Sequence, residues 1–372
     1  MTTDHHRRDA TAQEAPRRLF SLAGASDYTT CFHAALRRAG IEVIEAVWSA
    51  QWLARTMRRG DVVNVHWPSF LYYSRTSRLK TWRDLVRTAV LLIFLRSRGV
   101  RFAWTAHNLY PHDGGRELLV HRLGRRLVVA LASYVCVHGQ TGARVQQEFA
   151  VPGEKLVPLE HGNWIGFYPN SVTRQEARRR LGIPPEAFTY LFIGLCKPYK
   201  NLEYLVLSHR SLQDDSLLWI VGQFQSAPYQ ALVTEEALRA GTDRVTIRDE
   251  FVASQDLQTY LNACDVVVLP YREILTSGAA MLALSFGKAV IAPRMGTLTE
   301  LITPECGVLY DPGGESALRD AMAAARERRF EKELILSRAE QFSWDRSAAT
   351  FATRVLRGNA LRRISPRTAG VS

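Results

Sequence analysis

The stretch YREILTSGAAMLALSFGKAVIAPRMGTLTE, residues 271–300, decides the fold. It follows a short apolar run, VVVLP (266–270), which is preceded by Asp265. It then carries a carboxylate (Glu273), a Thr276-Ser277-Gly278 turn, a run of small apolar residues closed by Phe286-Gly287-Lys288, a second apolar run KAVIAPR, and a glycine turn ending on Glu300. Short apolar runs bounded by turn residues read as buried strands, and the segment between them reads as a helix. Strand, turn, helix, strand is the repeating unit of an α/β protein with a parallel sheet. A helix N-terminus presents unpaired N–H groups and a partial positive charge, so Ser277 and Gly278 suit a phosphate. The alternative is an ordinary helix cap by Thr276 or Ser277.

The same alternation runs through the rest of the chain. Upstream, FTYLFIGL (188–195) is a strand followed by CKPYKN and the helix LEYLVLSHRSL. Gly194 ends that strand, and Lys197 and Lys200 follow at three and six residues. A glycine there lets backbone approach a ligand, and two ammonium groups beyond a strand tip suit a diphosphate. The alternative is a turn with two solvated lysines. LLWIVGQ and VTIRDEF are further strands, and Phe251 and Val252, at the end of the latter, are placed with the donor contacts.

The first half reads likewise: RLFSLAG, IEVIEA, DVVNVHW, RFAWTAHN and SYVCVHG are strands separated by helical patterns. Each ends in polar residues. Ligands of open parallel sheets sit at the carboxyl ends of the strands. Ser26, Asp27, His66, His107 and His138 are therefore candidates for one cleft edge. The aperiodic segment VPLEHGNWIGFYPN (157–170) precedes a hinge at about residues 165–185. The expected organisation is a tail at 1–17, domains at 18–170 and 171–345, and a returning helix and tail at 346–372.

Composition limits the function classes. A chain of 372 residues with 47% apolar content accommodates two cored domains. No apolar run approaches the roughly 18–20 residues that span a bilayer. The N-terminal 17 residues are polar and lack an apolar leader core, so the protein is expected in the cytoplasm. Five scattered cysteines without a CxxC pair read as buried thiols, not a zinc site or disulfides. Residues 1–165 hold 23 Lys/Arg against 13 Asp/Glu, residues 166–345 hold 19 against 23, and the last 27 residues hold 6 against none. A basic front half and tail suit an anionic surface, while the acidic middle argues against a continuous nucleic-acid stripe. The basic, amphipathic RLKTWRDLVRTAVLLIFLRSRG (78–99), with Trp82, is either a crossover helix on the sheet or an interfacial helix.

The two motifs at 192–201 and 271–278, in this order, resemble the C-terminal domain of GT-B glycosyltransferases, in particular the retaining family four and its exopolysaccharide relatives. The resemblance covers roughly residues 18–358. It implies two Rossmann-like doubly wound domains facing a cleft, with the C-terminal helix returning to the first. Gly194, Lys197 and Lys200 match the element that grips the donor diphosphate. Pro270 and Glu273 match the strand and carboxylate that contact the donor sugar. The family's second carboxylate, which holds the ribose, falls on Leu282, so this chain departs there. Gly296 and Glu300 match a downstream glycine turn, and CGVLYDPGG and FSWDR match the closing strand and helix. In the first domain the segments around Tyr28, His66-Trp67 and His107 to Asp113 resemble the acceptor side, and HGNWIGFYPN resembles the interdomain segment. Lipid-linked oligosaccharide mannosyltransferases of xanthan- and acetan-type assembly are the subgroup suggested.

What this implies is a hexosyltransferase, with GDP-mannose as favoured donor, no cofactor and no metal. The acceptor is a lipid-pyrophosphate-linked oligosaccharide at the inner face of the plasma membrane, with no nucleic-acid partner. Donor contacts are Gly194, Lys197, Lys200, Phe251, Val252, Glu273, Thr276, Ser277 and Gly278. Acceptor contacts are Tyr28, His66, Trp67, His112, Asp113 and His161. Asp27, His107 and Glu273 are the catalytic candidates, and Asp27, His107, His112 and Asp113 compete for the role of base, which must reach the acceptor hydroxyl proton. His107 is open to a second role as a hydrogen-bond partner of the donor sugar, His66 as a packed strand end, and His161 as a fastener of the interdomain segment. A nucleotide-sugar epimerase and a non-catalytic membrane- or nucleic-acid-binding protein are the rival classes.

Overall fold

Two six-stranded sheets, each parallel throughout, carry the fold. The structure is a computed structural model and describes residues 18–111, 118–239 and 244–357. The first sheet holds β1 (Arg18–Leu22), β2 (Glu42–Glu45), β3 (Val62–Val65), β4 (Arg101–Ala106), β5 (Tyr134–His138) and β6 (Leu156–Leu159), in the order β2-β1-β3-β4-β5-β6. The second holds β7 (Thr189–Ile193), β8 (Leu217–Val221), β9 (Val245–Arg248), β10 (Val266–Val268), β11 (Ala289–Pro293) and β12 (Gly307–Tyr310), in the order β12-β11-β10-β7-β8-β9. The central strands are buried along their whole length, as VVNV in β3 and TYLFI in β7 show. That is what helices on both faces of a parallel sheet impose.

Strand order reverses at β1/β3 in the first sheet and at β7/β10 in the second. Ligand crevices of such sheets open at these points. The loops leaving β7 and β10 are the two expected donor motifs, so the topology sets residues far apart in sequence on either side of one crevice.

The strand β6 overlaps the start of the segment expected to be aperiodic. It pairs only with β5, opposite Val137 at Pro158, and a proline is tolerated there because an edge strand has a side that needs no N–H. The polar tail at 1–17, His112, Asp113 and the tail beyond 357 lie outside the described residues.

The C-terminal helix Trp344–Phe351, continued by a wider turn over Ala352–Leu356, returns to the first domain. Phe351 meets Phe32 edge-on at 5.5 Å, and both are fully buried. Arg101 donates to the Val355 and Leu356 carbonyls at 2.8 Å each, closing the helix end. Arg38 and Asp345 pair at 2.7 Å but stay exposed, so the ring packing, and not this ion pair, supplies most of the stabilisation.

The helix Arg78–Ser97 packs one face on the domain and leaves another exposed. Leu85, Leu92 and Leu95 bury one face, where Thr88 donates to the Leu71 carbonyl at 3.0 Å. On another face Leu79, Trp82, Val86, Val90 and Ile93 stand exposed at spacings of three and four residues. No helix among the described residues is long and apolar enough to cross a membrane.

Candidate active site

At the tip of β7, Gly194 takes a φ of +135° and leaves open space around its α-carbon. Beside it, at the tip of β8, Gly222 has a φ of +148°, and a Cβ there would lie 1.9 Å from the Gly194 carbonyl oxygen. Only glycine lets the two strand ends come this close. The chain then turns through Pro198–Lys200, with Lys197 in extended backbone just before it. Asn201, in the left-handed region at φ 59°, starts the next helix.

The loop from β10 meets this turn. The Lys200 ammonium lies 4.1 Å from the centre of the Tyr271 ring and 5.0 Å from that of Tyr199. Burial lowers its pKa, and the tyrosine faces partly offset the missing hydration. The Tyr271 hydroxyl is 3.1 Å from Ser277 Oγ, and Ser277 caps its helix by accepting from Ala280 N at 3.2 Å. Tyr271 thus joins the two loops expected to bind the donor. The Ser277 hydroxyl is used in the cap, so what this helix start (Gly278–Ser285) offers an anion is backbone N–H. Arg272 donates to Asn201 Oδ1 at 2.8 Å, tying the loops together again. Leu282 is half-buried on that helix and packs on the apolar core. Phe251, just beyond β9, is 79% exposed, and Val252 is half-buried.

Glu273 is exposed and lines an interdomain cleft of about 170 Å³ with Asn108, Tyr110, Arg144 and Glu148. Across the same cleft Thr276 donates to the His107 carbonyl at 3.0 Å. A second bridge joins Glu300 to the first domain, where it accepts from Gln140 N at 3.0 Å.

The first domain contributes a nest of rings. Tyr28, 7% exposed, has the rings of His66, His107, His138, His161 and Trp344 within 5.6 Å of its own. The ring planes of His66 and Trp67 lie 19° and 21° from that of His107, with centroids 5.3 Å and 4.9 Å away, and His66 Nδ1 meets His107 Nε2 at 3.0 Å. Burial pushes His66 down to about 3 and His161 to about 4, and holds His107 and His138 well below the usual histidine range. These rings are neutral at physiological pH. His161 donates through Nδ1 to the Gly162 carbonyl at 2.9 Å, and its Nε2 faces Gly278. Asp27 begins the helix Asp27–Arg38, behind its cap Ser26. Its Oδ2 accepts from the Tyr168 hydroxyl at 2.5 Å, and the Tyr168 pKa is raised by burial and by this carboxylate.

Tyr28, His66, His107 and His161 therefore lie together, with Trp67 stacked on His107. Asp27 stands apart from the rings, on Tyr168. Asp265 is structural: Arg178, itself 2% exposed, binds its carboxylate at 2.8 Å. Sequence reasoning missed Asn64, Tyr168, Trp164 and Tyr271. Asn64 had a visible signal, a lone polar residue inside an apolar strand. The others act through partners distant in sequence: Trp164 Nε1, for example, donates to the Gly278 carbonyl.

Residues 187–327 match the family described as glycosyl transferases group 1. The chain is similar to GDP-mannose:glycolipid 4-beta-D-mannosyltransferase of Xanthomonas campestris pv. campestris, at 28% identity over 272 residues, 72% of this chain and 71% of that protein. In structure it is similar to sucrose-phosphate synthase from Thermosynechococcus elongatus, with a TM-score of 0.69 at 17% identity over 91% of this chain and 98% of that one. It is also similar to Anabaena HepE in complex with UDP, with a TM-score of 0.65 at 18% identity over 92% and 98%. With its two parallel sheets facing one cleft, the chain has the GT-B fold, and its second domain carries the match to the group 1 glycosyl transferases.

Proposed function

We propose that this glycosyltransferase moves mannose from GDP-mannose to a lipid-pyrophosphate-linked oligosaccharide at the inner face of the plasma membrane, in exopolysaccharide synthesis. The observation that carries this is the extent of the mannosyltransferase similarity. It covers 72% of the chain, more than the whole second domain and its tail comprise, so it reaches well into the first domain. A shared donor domain alone leaves the acceptor open; similarity in both domains favours a glycolipid acceptor. The relative's name gives a β-mannosyl product, and a β link is the one proposed here.

In this reading the crevice at β7/β10 binds the nucleotide sugar. Lys197 and Lys200 and the Gly278 helix start neutralise the diphosphate, so the transfer needs no metal. Glu273 faces the sugar across the cleft. Asp27 is the base: Tyr168 orients one of its oxygens, and Oδ1 makes no hydrogen bond among the described residues. Leucine at 282 offers the ribose no acceptor, so other groups hold its hydroxyls.

The exposed stripe of the Arg78–Ser97 helix supports a peripheral membrane position. Residues 78–98 hold six Lys/Arg and one Asp, and Asp84 is paired with Lys80 at 2.9 Å. Apolar side chains framed by cations suit an anionic leaflet.

The test is thermal stabilisation and transfer with a panel of GDP- and UDP-sugars and a glycolipid acceptor. Selective stabilisation by GDP-mannose with mannosyl transfer is expected. Stabilisation without transfer would favour a binding protein, and release of an epimerised nucleotide sugar an epimerase.

A further inference from the structure

We propose that Arg272 is a positioning residue: three hydrogen bonds, to Tyr199, Asn201 and Glu203, fix the turn that carries Lys200 against the loop that carries Glu273, so that a bound donor meets the cation and the carboxylate at a set separation. The effect on the donor rests on the nucleotide-sugar reading above; the clamp does not.

Arg272 lies in the loop after β10, between Tyr271 and Glu273. Its backbone N donates to the Tyr199 carbonyl at 2.9 Å. Its Nε donates to Asn201 Oδ1 at 2.8 Å, and its Nη2 to Glu203 Oε1. A guanidinium can only donate, so the amide oxygen of Asn201, and not its NH2, faces it. The anchors are alternate residues, and Lys200 stands among them. Each anchor is held in turn. Asn201 is in the left-handed region, at φ 59°, and starts the helix Leu202–Arg210. Glu203 lies in the first turn of that helix, where a carboxylate is favoured, and its Oε2 accepts from the Tyr229 hydroxyl at 2.8 Å. The Tyr229 hydroxyl accepts from Leu202 N at 2.7 Å.

The Arg272–Glu203 pair contributes geometry more than stability. The Arg272 side chain is 57% exposed and that of Glu203 14%, so water screens much of the attraction. What the fork supplies is direction: two of its N–H groups reach two residues of the turn, which a point charge does not match. Lys200 needs this. Its ammonium is held by the ring faces of Tyr271 and Tyr199, and a ring face lacks the fixed direction of a hydrogen bond. The turn therefore sets where the ammonium stands, and Arg272 sets the turn. The residue next to it, Glu273, reaches the cleft. Groups that act on one substrate lose much of their effect when their spacing drifts.

The experiment compares the wild-type chain with Arg272→Met/Glu203→Gln, which removes one charge of each sign and leaves Tyr229 an acceptor. The backbone bond to Tyr199 survives it. The first readout needs no donor. ¹³C spectra of the six lysines follow their titration, with Lys200 assigned by loss of its signal in Lys200→Arg. Burial lowers the Lys200 pKa in the wild type; in the variant the loosened turn admits water, and the pKa rises toward the ordinary lysine value. An unchanged Lys200 titration overturns the proposal. The second readout is GDP-mannose affinity. The variant should bind roughly three- to tenfold more weakly, but less than about twofold more weakly when Lys200 is already alanine, because Arg272 acts through Lys200. An equal loss in both backgrounds overturns the proposal. If the pair variant does not fold, Arg272→Lys takes its place: the charge stays, the fork is lost, and the same two outcomes decide. A wild type whose Lys200 titrates as expected but which binds no nucleotide sugar would defeat the donor reading and leave the clamp standing.

Discussion

Thr276 Oγ1 donates to the His107 carbonyl at 3.0 Å, and this bond joins the loop after β10 in the second domain to the end of a strand in the first. The side chain just beyond it, Ser277, begins the helix at the β7/β10 crevice, and Tyr271 connects that serine to Lys200. The loops after β7 and β10 and the ring nest are therefore connected across the cleft.

Lys200→Ala removes the cation over Tyr271. A hydrogen bond or contact to a charged group is worth about 1.5–3 kcal/mol, so donor affinity should fall roughly ten- to hundredfold while the fold persists. Titration with GDP and GDP-mannose measures this. Unchanged affinity would remove Lys200 from the site.

Gly139→Ala tests the second interdomain bridge. Gly139 has a φ of +53°, and a Cβ there would lie 2.1 Å from Glu300 Oε2. A left-handed alanine costs roughly 1–2 kcal/mol, and the collision displaces Glu300 from Gln140 N as well. Tm should drop by at least about 3 °C, and Glu300→Ala in the same chain should recover part of the drop. A Tm equal to wild type would show that the bridge does not hold the domains.

Acid should destabilise the protein through its neutral histidines. His161 is pushed down to about 4 and His66 to about 3, each by burial, from the ordinary 6.5. Below 6.5 the unfolded chain binds these protons first, so stability falls as pH drops from 6.5 through 4 and toward 3. The slope is about 1.4 kcal/mol per pH unit for each such histidine. Urea melts at pH 7, 6, 5 and 4.5 measure it; equal stability at all four would contradict the burial of these rings.

Val86→Glu with Val90→Glu places two carboxylates on the exposed stripe. Each apolar side chain withdrawn from an interface is worth about 1–2 kcal/mol, so binding to anionic vesicles should weaken at least tenfold. GDP-mannose affinity should not change. Vesicle binding equal to wild type would move the membrane surface elsewhere.

Much of the fold was legible because apolar runs and glycine turns report local structure. The strands β7, β10 and β11 and the Gly278 helix follow directly from FTYLFIGL, VVVLP, KAVIAPR and the TSG turn. β6 was not, because Pro158 reads as a strand breaker until its edge position is known. The site was half legible. Strand ends showed where polar groups gather, and Gly194, His66 and His107 do follow the ends of β7, β3 and β4, with Lys200 in the turn after β7. Their partners were hidden: Asp27 meets Tyr168 and Lys200 meets Tyr271 only after the sheets are assembled. Leu282 showed from sequence that a carboxylate was missing, and the structure adds that the leucine packs on the core.

The central claim is tested most directly by incubating wild type and Glu273→Gln with radiolabelled GDP-mannose and a lipid-pyrophosphate-linked oligosaccharide, with and without excess chelator. The account predicts mannose in the lipid fraction with wild type, undiminished by chelator, and a large loss of transfer in Glu273→Gln with donor binding retained. Donor binding without transfer by the wild type, or equal turnover in both proteins, would contradict it.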